Sequence, residues 1–150
     1  MAVDFRLVLA GDPPVGEVAA LTAAEPAETP QPAFKPGLLT ARLYDQRGYA
    51  VAVRSGNHGY YEFETDDAAR WEWEPDTYVN VTFSMRADDL AEKGVPNMVA
   101  AVGRVLTGRA EDAALIQDGN YLYLTRIDGV IRKHHPSWWN HYHLDHLITG

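Results

Sequence analysis

The stretch PNMVAAVGRVLTGRAEDAALIQDGNYLYLTRIDGVIRK, residues 96–133, decides the fold. In its first third Met98, Val102, Val105 and Leu106, with Val99 and Ala101 beside them, recur at the three-and-four spacing that gathers them on one helical face. The spacing predicts a helix over Asn97–Thr107, with Asn97 as its cap, Pro96 just before it and Gly108 turning left-handed at its end. Such a stripe needs a sheet to cover. The remainder supplies strands: Asp112–Gln117, Tyr121–Arg126 and Val130–Lys133 are parted by Asp118-Gly119 and Asp128-Gly129, pairs that tolerate the positive φ of tight hairpin turns.

Working outward, Thr77–Arg86 alternates Val79, Val81, Phe83 and Met85 with Tyr78, Asn80, Thr82 and Ser84, so one side of that strand is apolar and the other wet. Val3–Leu9 has the same period, and Leu38–Tyr44 and Tyr49–Arg54 form a pair around the turn Gln46-Arg47-Gly48. A further strand is expected at Tyr60–Glu64. Asp12 and Pro13 open a short helix over Pro13–Ala23. Glu25–Gly37 holds four prolines and little periodicity, and reads as an extended surface connection. The expected architecture is α+β: a single antiparallel sheet of about six to seven strands with two helices packed on one face and solvent on the other.

A chain of 150 residues that is 46% hydrophobic and 23% charged is sized for one domain, residues 1–150, with its own core. A net charge of −8 argues against nucleic acid, whose phosphates require an excess of cations, and favours a basic partner. Without cysteine there is no disulfide and no thiolate chemistry. The apolar run Phe5–Ala10 is interrupted by Arg6 and too short for a secretory signal, and no run approaches a membrane span, so a cytoplasmic protein with no membrane partner is the expectation.

Two clusters carry possible chemistry. Glu62–Asp76 sets seven acids against the single Arg70 and interleaves them with Tyr61, Phe63, Trp71 and Trp73. So much of the net charge in one short segment makes a negative field, and aromatic side chains can anchor a contact that such a field steers. The expected partner-binding residues are Glu62, Glu64, Asp66, Asp67, Trp71, Glu72, Trp73 and Glu74; the plainer reading is a solvated acidic loop with tucked tryptophans. The second cluster is the histidine-rich end, where His141, His143 and His146 offer imidazoles to a metal if the segment is partly extended. That spacing lacks the His-Glu-x-x-His pattern of zinc hydrolases. No Gly-x-Ser-x-Gly elbow and no phosphate-binding glycine loop occurs, so neither an enzyme nor a cofactor is expected.

The strand Val79–Met85, the helix carrying Met98-Val99-Ala100-Ala101-Val102 and Leu106, then Gly108, Asp112-Ala113-Ala114-Leu115, Asn120-x-Leu122, Leu124-x-Arg126 and Gly129 together resemble the swarming-inhibition (Sit-type) immunity proteins of bacterial toxin–immunity systems. The resemblance implies a small non-enzymatic protein that neutralises a cognate toxin by binding it. It spans about half of the chain and brings no active-site residue with it. Glu62–Asp76 and the histidine- and tryptophan-rich end depart from that pattern, leaving the contact surface to be found from the residues themselves. The alternative function is a metal-binding module or metal-dependent enzyme built on His141, His143 and His146.

Overall fold

A computed structural model of the chain describes residues 2–65, 69–117 and 121–148. An eight-stranded antiparallel sheet dominates it. In chain order the strands are β1 (Ala2–Ala10), β2 (Gln31–Pro32), β3 (Leu39–Leu43), β4 (Tyr49–Asn57), β5 (Tyr61–Glu64), β6 (Arg70–Trp73), β7 (Thr77–Arg86), β8 (Ala113–Gln117), β9 (Tyr121–Ile127) and β10 (Val130–Lys133). The helices are α1 (Val15–Thr22), α2 (Val95–Gly108) and the six-residue α3 (Pro136–His141). The sheet runs β10-β9-β8-β1-β7-β4-β3-β2, and β5 and β6 form a separate two-stranded hairpin.

The α+β reading holds, but the strand count and the second face do not. Eight strands replace six to seven because Gln31–Pro32, within the proline-rich segment, pairs with Leu39 and Thr40 at the sheet edge. Proline is tolerated there since an edge strand leaves one side of its backbone unpaired. Residues 61–64 do not extend the main sheet. They pair with residues 70–73 and lie over its far face.

The strict alternation of β7 fixes the register of the centre. Val79, Val81, Phe83 and Met85 stand opposite Leu9, Leu7, Phe5 and Val3 of β1, and Val81 and Phe83 also face Val53 and Val51 of β4. Nearly all of these side chains are buried, and they meet Met98, Val99, Val102, Val105 and Leu106 of α2 with Val18 and Ala19 of α1. Each fully buried aliphatic of this size contributes on the order of 1.5–3 kcal/mol relative to exposure. The helical stripe therefore settles which face of the sheet the helices cover.

Both ends of α2 differ from the expectation. A 3-10 turn at Ala87–Asp89 and a π-helical turn at Leu90–Gly94 lead into the helix, so Asn97 lies inside it and its Nδ2 donates to the Arg47 carbonyl at 3.3 Å. Pro96 fits the first turn, where its missing N–H costs nothing. Gly108 is the last helical residue, and a Cβ there would come within 2.7 Å of the Leu21 side chain. Its smallness lets α1 and α2 approach; it is no left-handed cap. Likewise Asp12 makes no cap to α1, whose N-terminal flank is Pro14. The turn at Asp128 and Gly129 has φ of 51° and 81°, as a tight hairpin needs, while Asp118-Gly119 lies outside the described residues.

Tyr49 is 1% exposed and meets the Phe83 ring edge-on at 5.0 Å. Burial pushes its phenol from 10.0 up to about 12, with Arg104 and Arg47 pulling weakly the other way. The folded state thus favours the neutral phenol. Its stabilising effect is complete below pH 10 and is lost as the pH rises towards 12, a drop of about 2–3 kcal/mol at ~1.4 kcal/mol per unit. Urea titrations at pH 9 and pH 11.5 should show this loss in the native chain and a smaller one in Tyr49→Phe. Equal losses would place the alkaline weakness elsewhere.

Candidate functional site

Residues 61–64 and 70–73 of the acidic segment form a mounted two-stranded surface. In the β5–β6 hairpin Tyr61 faces Trp73 and Phe63 faces Trp71, while Glu62 faces Glu72 and Glu64 faces Arg70. Successive side chains of a strand point to opposite sides, so the aromatics share one face and the charges the other. The aromatic face packs on Val8, Ala114, Ile116 and Leu122 of the main sheet, with Tyr78 at its border. Phe63 is 6% exposed and anchors the contact. Trp71 and Trp73, expected as partner contacts, lie on this inward face, each partly buried against the sheet.

The outward face is a carboxylate row. Glu62 and Glu72 stand directly opposite, a like-charge pair that would oppose strand pairing. Arg70 resolves it, placing Nη2 at 2.7 Å from Glu62 and 2.8 Å from Glu72. The Tyr60 hydroxyl donates to Glu62 at 2.6 Å, and this bond, with the Arg70 charge, holds the Glu62 carboxyl below its ordinary value. Glu64 and Glu74 are exposed. Asp66 and Asp67 lie outside the described residues.

The histidines do not converge. His141 lines a groove of about 460 Å³ with Tyr121, Tyr123, His135, Ser137, Trp138 and Tyr142, whereas His143 and His146 border a different recess with Trp139 and Asp145. Helix α3 ends at His141 and His143 takes φ 57°, so the chain turns between them and splits the expected triad. Among the described residues no group of three or more His, Asp or Glu is placed to hold a metal ion. In the groove, Tyr123 stacks on Trp138 at 4.1 Å and its hydroxyl donates to Gln117 at 2.6 Å. Tyr123 is 6% exposed on the helix side because β9 bulges against β8 beside Leu115 and Ile116.

Sequence reasoning missed a second charged feature, on the half of the far sheet face that the hairpin leaves open. Arg6, Arg42, Arg54 and Arg86 are all exposed there, and Arg42 and Arg86 lie over the Tyr44 ring at 5.8 and 4.6 Å. Their places in the strand alternation, opposite in phase to Phe5, Leu43, Val53 and Met85, are the signal that could have found them.

A family model described as SitI3-like matches residues 3–143. The chain belongs to the SitI3-like family. That match runs from β1 to just beyond α3 and so takes in the acidic hairpin, the arginine-bearing strands and the aromatic groove of this SitI3-like chain. No curated protein and no solved structure matches the sequence. No helix among the described residues is long and apolar enough to cross a membrane.

Proposed function

We propose that this SitI3-like chain is a cytoplasmic immunity protein that neutralises a cognate toxin by binding it directly, without catalysis or cofactor. The outer face of the β5–β6 hairpin is the proposed contact, and one observation carries this reading: Glu62, Glu64 and Glu72 project from a two-stranded platform whose other face is anchored to the sheet. Preorganised charge speeds association with an oppositely charged surface and loses little entropy on binding. The matching toxin surface is basic.

Reversing Glu72 and Glu74 to lysine tests it. A lysine at 72 would face Glu62 and remove the like-charge pair, so the hairpin should survive the change. Against the toxin captured from the native organism and then purified, the variant is expected to bind at least about tenfold more weakly, with a slower association rate and a shallower salt dependence. Unchanged affinity in a variant with native circular dichroism removes the hairpin from the interface.

A further inference from the structure

The cations of this acidic chain are sorted by use. Arg47, Arg70, Arg109 and Lys133 hold carboxylates. Lys93, Arg104 and Arg126 donate to backbone carbonyls. Among the described residues Lys35, Arg6, Arg42, Arg54 and Arg86 hold neither; Lys35 lies over the Phe34 ring ahead of β3, and the four arginines rise from the same open sheet face over β1, β7, β4 and β3. The register places them. Arg6 stands opposite Thr82, Arg54 opposite Asn80, and Arg42 opposite Ala50, which in turn faces Ser84. Between the arginines the floor is small, Thr40, Ala50, Ala52, Thr82 and Ser84, each partly exposed, and its single carboxylate among the described residues, the partly exposed Asp4, stands opposite Ser84 at the β1 edge. Unpaired guanidinium groups around a low floor form an anion-receptive surface, because each presents a planar fork that fits a carboxylate with two hydrogen bonds.

We propose that this arginine-rimmed face is a second docking surface and that it takes an acidic, extended segment of a protein partner. Size argues for a segment and against a small anion: β1 and β3 are three strands apart, about 14 Å at the ~4.8 Å spacing of a sheet. No single carboxylate reaches Arg6 and Arg42 together. Net charge argues for a polypeptide and against nucleic acid. A continuous phosphate backbone would meet a chain of net charge −8 and the Glu62–Glu72 row of the hairpin on the same side of the sheet. A short acidic segment, by contrast, can end before that row. The face and the hairpin carry opposite signs side by side, so a partner touching both must carry a matched pair of signs, and a wrong partner meets repulsion at one of them. The inference stands whether or not the hairpin binds a toxin.

The test uses the isotope-labelled full chain and two probes, a peptide of alternating glutamate and serine and an oligothymidylate of equal charge. Amide shifts should move saturably with the peptide at Thr40, Ala50, Ala52, Thr82 and Ser84. In Arg42→Glu/Arg54→Glu the apparent Kd should rise at least tenfold, while the hairpin amides stay unperturbed in both proteins. Glu72→Lys/Glu74→Lys, which tests the toxin contact, should leave peptide binding at these amides in place. The proposal is overturned by an absence of saturable shifts on this face, by tighter binding of the oligothymidylate, or by shifts that follow protein concentration alone and so report a second copy of the chain.

Discussion

Replacing Trp139 with alanine is expected to lower global stability by about 5 kcal/mol, at the upper end of the loss from truncating a buried tryptophan. The indole is 1% exposed and is held at both its face and its edge. Trp138 meets it edge-on at 5.1 Å, and the Lys133 ammonium lies 5.2 Å from its ring. Its Nε1 donates to the carbonyls of Tyr123 at 3.0 Å and His134 at 3.1 Å. Alanine removes the apolar bulk and leaves both buried acceptors without that donor, so a transfer loss and a hydrogen-bond loss coincide. Trp139→Phe keeps most of the bulk and should lose only about 2 kcal/mol, mainly for the two acceptors. Urea denaturation followed by circular dichroism separates these outcomes. A loss below about 1 kcal/mol for the alanine variant would mean that α3 and the residues after it open independently of the sheet.

The readable parts of this fold were those where one local signal fixed the answer. Thr77–Arg86 is a strand at the expected residues because ten alternating positions leave no other period, and the α2 stripe was legible for the same reason. Ends were harder. Asn97 has the chemistry of a cap, but the chain is already helical from Leu90, a fact set by packing of Gly94 beneath Met85 and by Gly48 beside it. In the hairpin the acid count obscured the pattern. Tyr61 and Phe63 alternate with Glu62 and Glu64 as clearly as any strand here, and Trp71 and Trp73 repeat the rule across the turn. Four residues a side are too few to announce a sheet of their own, and only the apolar patch of Val8, Ala114, Ile116 and Leu122 gives their aromatic face a place to go. The arginine face needed more still, since its members come from four strands that become neighbours only in the β1-β7-β4-β3 order. Histidine spacing, finally, says nothing about the turn after α3 that parts His141 from His143 and His146.

Helix α2 has no basic residue in its last turn, where orphan carbonyls and the negative end of the helix dipole would favour one. Arg126 supplies that charge from β9. It is 7% exposed; Nη1 donates to the Leu106 carbonyl, and Nε and Nη2 donate to the Glu111 carbonyl at 3.1 and 2.8 Å. One side chain therefore ties the end of α2 to the start of β8. Burial lowers its pKa, partly countered by Glu111 and Asp112, yet a guanidinium so placed stays charged across the working pH range. Arg126→Met preserves length and apolar bulk and leaves the buried Leu106 carbonyl and the part-buried Glu111 carbonyl without that donor, which should cost about 3–4 kcal/mol at the ~1.5–3 kcal/mol of a charged hydrogen bond. Arg126→Lys restores a charge but lacks the fork needed to reach both carbonyls, and should recover less than half of the loss. Amide exchange adds a readout that bulk packing would not move: the last turn of α2 and the first residues of β8 should lose protection together in the methionine variant. Loss confined to the helix end would show that the two elements are coupled through the Arg109–Glu111 ion pair instead, where Nη2 and Oε2 stand 2.6 Å apart.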